Sequence, residues 1–233
     1  MTDLASRLAE VDARIADAAH SAGRDPSDLT RIVVTKFHPA QLVTDLAALG
    51  VRDVGENRQQ ELTAKREALR QAQVPGLDGV RWHFIGQLQT KKARAVRAAS
   101  DVVHSVDRDR LADALHAADP GGDPLDVFVQ VNLTEDPARG GAAPDEVERL
   151  AEHIAQACPS LRVRGVMAVA PLTDAPAAAF ERLARSAAAV RRVVPDATWM
   201  SAGMSGDFAE AIAAGATHLR IGTAITGPRP EHG

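Results

Sequence analysis

The sequence predicts an α/β chain folded as one closed (β/α)8 barrel of the TIM type with an extra N-terminal helix. Three observations predict it. Eight short apolar, β-branched runs recur along the chain, each is followed by an Ala-rich amphipathic stretch, and the 233 residues end soon after the eighth run. Strand–helix alternation requires parallel strands joined by right-handed crossovers, and eight such units favour closure. An open doubly wound sheet is the alternative, but its G-x-G-x-x-G fingerprint is missing.

The elements follow in order. Leu4, Leu8, Val11, Ile15 and Ala19 recur at helical spacing and predict a helix over 3–22, with Gly23 as its stop signal. Candidate strands then fall at 31–35, 52–55, 80–85, 102–105, 125–131, 163–169, 197–200 and 219–222. The stretches between them read as helices, among them 39–49, 58–71 and 178–194. Pro120-Gly121-Gly122-Asp123-Pro124 and Arg139-Gly140-Gly141 read as surface loops and not as linkers. A single domain over 1–233 is therefore expected, with the leading helix in 1–25 and the barrel in 31–228.

Composition narrows the function classes. Hydrophobic residues at 45% and charged residues at 25% make an ordinary globular balance. The net charge of −4 and the lack of a long Lys/Arg block argue against a nucleic-acid partner; Lys91-Lys92-Ala93-Arg94 reads as a solvated helix face. No apolar run reaches the length of a bilayer and no signal-peptide core opens the chain, so neither membrane nor export is expected. The one cysteine, Cys158, forbids an internal disulfide and suits a reducing, cytoplasmic setting. It reads as a small buried hydrophobe at a helix end.

Barrels of this kind collect their chemistry at the C-terminal ends of the strands. Lys36 closes the run Ile32-Val33-Val34-Thr35-Lys36, at the barrel mouth, where burial would favour the neutral, nucleophilic amine. Taken alone, a lysine there more often snorkels to solvent. Gly55-Glu56-Asn57 ends the second run, where Asn57 can face a ligand or cap the next helix. His83 and His104 alternate with apolar neighbours and read as packed, hydrogen-bonded core residues; with no HExxH and no ligand spacing, no metal is expected. Ser201-Ala202-Gly203-Met204-Ser205-Gly206-Asp207 follows the seventh run and opens a helix, with Ser205 as the expected N-cap and Asp207 in the first turn; such a helix start also suits a phosphate. Gly222 and Thr223 are expected to end the eighth strand, and phosphates often bind between the seventh and eighth loops. Arg220 would point inward and need a partner there, either a ligand ring nitrogen or a carboxylate. A lysine nucleophile on one rim and a phosphate cup on the other suit an aldehyde that carries a phosphate.

These residues closely resemble the pyridoxal phosphate homeostasis protein family. The resemblance is carried, in order along nearly the whole chain, by Val33-Val34-Thr35-Lys36, Gly55-Glu56-Asn57, His83-Phe84-Ile85-Gly86 with Leu88-Gln89, Val129-Gln130-Val131-Asn132, Arg164-Gly165-Val166-Met167, Gly203-Met204-Ser205 and Arg220-Ile221-Gly222-Thr223-Ala224-Ile225. It implies a barrel like the N-terminal domain of alanine racemase, in which Lys36 forms a Schiff base with pyridoxal 5′-phosphate. It further implies that Arg220 faces the pyridine nitrogen, that Ser205, Gly222 and Thr223 hold the phosphate, that Ser201 and Met204 line the same loop, and that Asn57 lies near the cofactor. The implied role is vitamin B6 homeostasis, carrying or balancing the cofactor without turnover, with PLP-dependent apo-enzymes as its acceptors. Where the family often has Tyr, Asn and Met, this chain has Arg58, Lys91 and Ala202; Arg58 and Lys91 add positive charge to the outer cofactor face if they line the mouth.

Two enzymatic alternatives stand beside this reading, an amino-acid racemase-like PLP enzyme and a cofactor-free Schiff-base aldolase. The chain has no tyrosine, whereas alanine racemase uses one as its second base, supplied by a partner's C-terminal domain. A monomer is expected, because no further domain or apolar stripe requires a partner.

Overall fold

The barrel is closed, and each strand pairs in parallel with the next, in the order β1 to β8, with β1 completing the ring against β8. The structure is a computed structural model that describes residues 3–74 and 76–229, so 1–2 and 230–233, the ends of the expected single domain, lie outside the described residues.

Helix α1 (Leu4–Ser21) starts where the Asp3 carboxylate accepts the Ser6 amide at 2.7 Å. It buries Leu8, Val11, Ile15 and Ala19, and ends at Gly23, whose φ of +67° is the left-handed stop glycine tolerates. Arg24 donates to the carbonyls of Ile212 and Ala216, and Arg7 to that of Ile225, which fastens this helix over the last two of the fold.

The strands are β1 (Thr30–Val34), β2 (Asp53–Glu56), β3 (Arg81–Phe84), β4 (Val102–Val106), β5 (Leu125–Gln130), β6 (Leu161–Met167), β7 (Trp199–Ser201) and β8 (His218–Ile221). The helices that cover them are α2 (Gln41–Ala48), α3 (Gln59–Gln71), α4 (Ala93–Ala99), α5 (Asp109–Ala118), α6 (Val147–Ala157), α7 (Pro176–Val193), α8 (Phe208–Ala213) and α9 (Thr223–Thr226). All eight expected runs are strands. The sixth begins two residues before 163, because Arg162 reaches the buried Asp126 at 2.6 Å and so belongs to the sheet despite its charge, while Val169, 44% exposed, lies beyond it.

The outer core, between strands and helices, is mostly aliphatic, with Trp82, Phe84, Phe180 and Phe208 set into it. The lumen is different. Phe128 of β5 meets His218 of β8 across the barrel at 5.3 Å between ring centroids, His104 of β4 stacks on Phe128 at 4.3 Å, and Trp199 of β7 lies 4.6 Å from His218. At the base Arg164 sits 4.0 Å over Trp199, and Asp126 binds Arg81 and Arg162. The barrel floor is thus sealed by rings and paired charges, and the mouth is left for chemistry.

Two expectations about the C-terminal loops are corrected. Ser205 is not the cap of α8. That helix starts at Phe208 with Asp207 at the N-cap position, because the Asp207 carboxylate accepts the Met204 amide at 2.6 Å and folds 204–207 into a turn. Gly222 and Thr223 do not end β8. The strand stops at Ile221, Gly222 leaves extended geometry with ψ of −105°, and Thr223 opens the one-turn helix α9.

Candidate functional site

Lys36 lies two residues past β1, half-buried, in a turn closed by the His38 amide on the Thr35 carbonyl at 3.1 Å. The next residue, Phe37, has φ of +68°, a left-handed conformation costly for an aromatic residue. Glu61 of α3 holds it by accepting the Phe37 amide at 2.8 Å. The Phe37 ring gathers cations: Arg58 at 5.0 Å, Arg229 at 4.3 Å and the Lys36 ammonium at 5.8 Å from its centroid. Arg58, one of the departures from the family pattern, therefore stands beside the lysine turn; Lys91, another, is exposed.

Beneath that turn is a buried ion pair the sequence reading did not single out. Lys65 of α3 donates to Glu56 at 2.6 Å and to the Thr35 carbonyl at 2.8 Å, and the Thr35 hydroxyl donates to Glu56 at 2.6 Å. Burial pushes the Glu56 carboxyl up, and the Lys65 charge and the two hydrogen bonds offset only part of that. Glu56 fell within the quoted Gly55-Glu56-Asn57 motif; Lys65 carried no signal, since a lysine in a helix reads as exposed. Asn57 follows β2, half-buried, with Gly86 from the loop after β3 pressed against its backbone.

The adjoining part of the rim is built by β7, β8 and α9, β8 being the strand that pairs with β1. Arg220 is only 5% exposed. Its guanidinium donates to the Ser201 hydroxyl at 2.7 Å and to the Ala168 carbonyl at 2.8 Å, so its inward orientation is as expected, but these protein partners are neutral oxygens and not a carboxylate. Burial lowers its pKa to about 10, which leaves it a cation at neutral pH. The Arg220 amide donates to Gly203, whose φ of +90° and tight fit against Ala211 hold the β7 loop against β8. Gly222 packs on the end of β1, where a Cβ would come 3.6 Å from that of Val34, so the α9 start adjoins the strand that leads to Lys36. The Ile225 and Thr226 amides donate to the Gly222 carbonyl, which leaves those of Thr223 and Ala224 as the amides of α9 without an acceptor among the described residues. Thr223 is exposed, Ser205 half-buried and Met204 39% exposed, all reachable from solvent. Ser201 is different: it is fully buried, and its hydroxyl is engaged by Arg220 and His104.

His83 and His104 are fully buried and hydrogen-bonded, as their alternation with apolar residues suggested. Cys158 is buried at the end of α6, and desolvation pushes its thiol up to about 11. Among the described residues it forms, with Asp113 and His153, one group of metal-ligand types whose atoms lie within 4.8 Å, on the outer helices away from the mouth. One surface cavity of about 930 Å³ lies by Leu69 and Val80, and another of about 610 Å³ is lined by Asn132 and Pro171, in the loops after β5 and β6, and by Arg182 of α7; neither is lined by Lys36 or Arg220. No helix among the described residues is long and apolar enough to cross a membrane.

A half-buried amine, a buried cation that accepts nothing, and a pair of loops with free amides and hydroxyls fit a flat phosphorylated aldehyde with an aromatic ring nitrogen. The comparisons agree. Residues 9–230 match the family model of the alanine racemase N-terminal domain. The pyridoxal phosphate homeostasis protein of Pseudomonas aeruginosa is 40% identical over 230 residues, covering 98% of this chain and 97% of that one. That of Escherichia coli K12 is 38% identical, covering 98% of each. The structure of PipY from Synechococcus elongatus with PLP bound superimposes with a TM-score of 0.82 at 32% identity, covering 97% of this chain and all of that one. With its strand-end motifs and closed barrel, the chain belongs to the pyridoxal phosphate homeostasis protein family, built on the alanine racemase N-terminal domain.

Proposed function

We propose that this protein holds pyridoxal 5′-phosphate at the mouth of the barrel and carries or balances it for PLP-dependent apo-enzymes, as a cytoplasmic monomer. The observation that carries the reading is that Lys36 and the buried Arg220 come from paired neighbouring strands, Lys36 just past β1 and Arg220 within β8. In this reading the Lys36 amine would hold the aldehyde as a Schiff base, the carbonyl oxygen leaving as water. Arg220 faces the ring nitrogen. Ser205, Gly222 and Thr223, with the first amides of α9, take the phosphate. Asn57 and Met204 flank the ring, and Ser201 acts from below by holding Arg220.

Bound pyridoxal phosphate supplies an electrophilic carbonyl and an aromatic system able to draw off electrons. A guanidinium beside the ring nitrogen disfavours protonation of that nitrogen, because two adjacent cations repel, and an unprotonated ring is the weaker electron sink. Arg220 thus favours retention over carbanion chemistry. The full-length match to relatives named for homeostasis supports the same role.

The experiment is a visible spectrum of purified protein before and after adding pyridoxal phosphate. A yellow protein, whose band borohydride bleaches and Lys36→Ala abolishes, supports the reading. A colourless protein that is trapped by borohydride with a sugar phosphate overturns it in favour of an aldolase, and steady racemisation of alanine overturns it in favour of an enzyme.

A further inference from the structure

A continuous hydrogen-bonded chain runs the length of the barrel and ends on Arg220. It begins at Asp53, the first residue of β2, at the base. The Asp53 carboxylate is 2.8 Å from His83 Nε2; His83 Nδ1 is 2.9 Å from His104 Nε2; His104 Nδ1 is 2.9 Å from the Ser201 hydroxyl; and that hydroxyl accepts from Arg220 Nη1 at 2.7 Å. Five side chains from β2, β3, β4, β7 and β8 are strung together.

The two ends dictate every proton between them. A carboxylate can only accept, so His83 Nε2 carries hydrogen. Neutral His83 then has a bare Nδ1, so His104 Nε2 carries hydrogen and His104 Nδ1 is bare. The Ser201 hydroxyl must donate to that nitrogen, which leaves its oxygen to accept from Arg220, a group that can only donate. Any reversal sets two acceptors or two donors face to face in a dry interior. The protonation states agree. Burial would raise the Asp53 carboxyl, but the His83 hydrogen bond and the charge of Arg81 bring it below its ordinary value. Desolvation lowers both histidines, His104 well below its usual range, so both are neutral. The other charged or titratable groups facing the chain are Arg81, Asp101, Asp207 and His218. His218 stays outside it, its Nδ1 bonded to the Thr217 hydroxyl.

We propose that Asp53, His83, His104 and Ser201 form a one-way relay that positions Arg220 from the base of the barrel, setting which of its hydrogens face the cofactor. The buried guanidinium touches no carboxylate, and the polarised chain extends the influence of Asp53 to it. The proposal rests on the pyridoxal phosphate reading for its consequence, but its wiring is a property of the protein alone. Asp53, His83 and His104 are positioning residues, since none of them reaches the mouth.

Long-range proton–nitrogen correlation spectra of the ligand-free protein at neutral pH test the wiring. Both His83 and His104 are expected as Nε2–H tautomers, with bare Nδ1. An Nδ1–H tautomer or a cation at either residue overturns the relay, whether or not pyridoxal phosphate binds. In Asp53→Asn, which keeps the shape but removes the charge, the tautomer signal of His104, one residue removed from the change, is expected to become mixed. Pyridoxal phosphate retention in this variant is expected to fall about tenfold, the scale at which outer-shell hydrogen-bond partners act. Unaltered His104 signals together with unaltered retention overturn the proposal. His104→Phe, which preserves the stack on Phe128, cuts the chain in its middle, so adding Asp53→Asn to it should change retention by less than about twofold; independent, multiplying effects overturn a shared path. A wild type that binds no pyridoxal phosphate sinks the reading of the mouth, and the tautomers alone then decide the relay.

Discussion

Gly86 lies so close beneath Asn57 that a Cβ built on it would stand 2.0 Å from the Asn57 carbonyl oxygen. The requirement is one of space, since the Gly86 backbone is not in the left-handed region. The loop after β3 thereby fixes the residue that follows β2, and so the placement of the Asn57 side chain. The obstacle is backbone, which cannot rotate away. Gly86→Ala should cost about 1–3 kcal/mol by overpacking and displace Asn57. Urea titration and pyridoxal phosphate retention check this; a variant matching wild type in both would show that the loops yield freely.

The Glu56–Lys65 pair sets the height of the Lys36 turn, because Lys65 also grips the Thr35 carbonyl. Both side chains are buried, Glu56 at 0% and Lys65 at 8% side-chain exposure. Lys65→Met removes the cation and strands a buried carboxyl, which costs about 3–5 kcal/mol when one partner of such a pair is lost. For a chain of this size that is a fall in Tm of roughly 10 °C. Adding Glu56→Gln should restore part of the loss. A Tm for Lys65→Met within two or three degrees of wild type, about the shift from 1 kcal/mol, would rule out a structural role for the pair.

Much of this was legible because barrels write themselves as alternation. β-branched runs and Ala-rich stretches marked every strand; Lys36 and Asn57 stood just past strand ends, at the mouth, and Arg220 is a charge inside an otherwise apolar run. What was hidden depended on contacts distant in sequence. Lys65 looks like a surface residue until Glu56, nine positions away on a neighbouring strand, is folded against it. Asp53, His83, His104 and Ser201 are joined only by barrel closure, so no local spacing reveals them. The delayed start of α8 turned on one side chain, Asp207, preferring the Met204 amide. The family resemblance places Ser201 in the loop beside the cofactor; in the structure it ends β7 and its hydroxyl is committed inside the barrel.

The phosphate assignment can be tested one hydroxyl at a time. Ser205 follows β7 and Thr223 opens α9 after β8, and among the described residues neither side chain makes a hydrogen bond. Ser205→Ala or Thr223→Ala should weaken retention by about 1–3 kcal/mol, the cost of leaving a charged group short of a donor. Thermal stability should hardly change. If equilibrium titration gives wild-type affinity in both variants, the phosphate lies elsewhere.

The histidines of the lumen should make the fold sensitive to mild acid. Burial lowers the pKa of His218 to about 3, from 6.5, and depresses His83 and His104 in the same direction. Between its folded and unfolded values such a base binds fewer protons folded than unfolded. The contribution is therefore intact above pH 6.5 and is lost progressively as pH falls below it, each fully depressed imidazole adding a slope of about 1.4 kcal/mol per pH unit. Asp53 acts lower, because its carboxyl is depressed from 3.8 and stays ionised through this window. Urea midpoints measured from pH 6.5 down to 4.5 should drop steeply. His218→Phe, placed among Phe128 and Trp199, should remove one imidazole's share, about 1.4 kcal/mol per unit near pH 5, while leaving stability at pH 8 less affected. An identical slope in the variant would mean that His218 titrates normally and that the lumen is wetter than its packing implies.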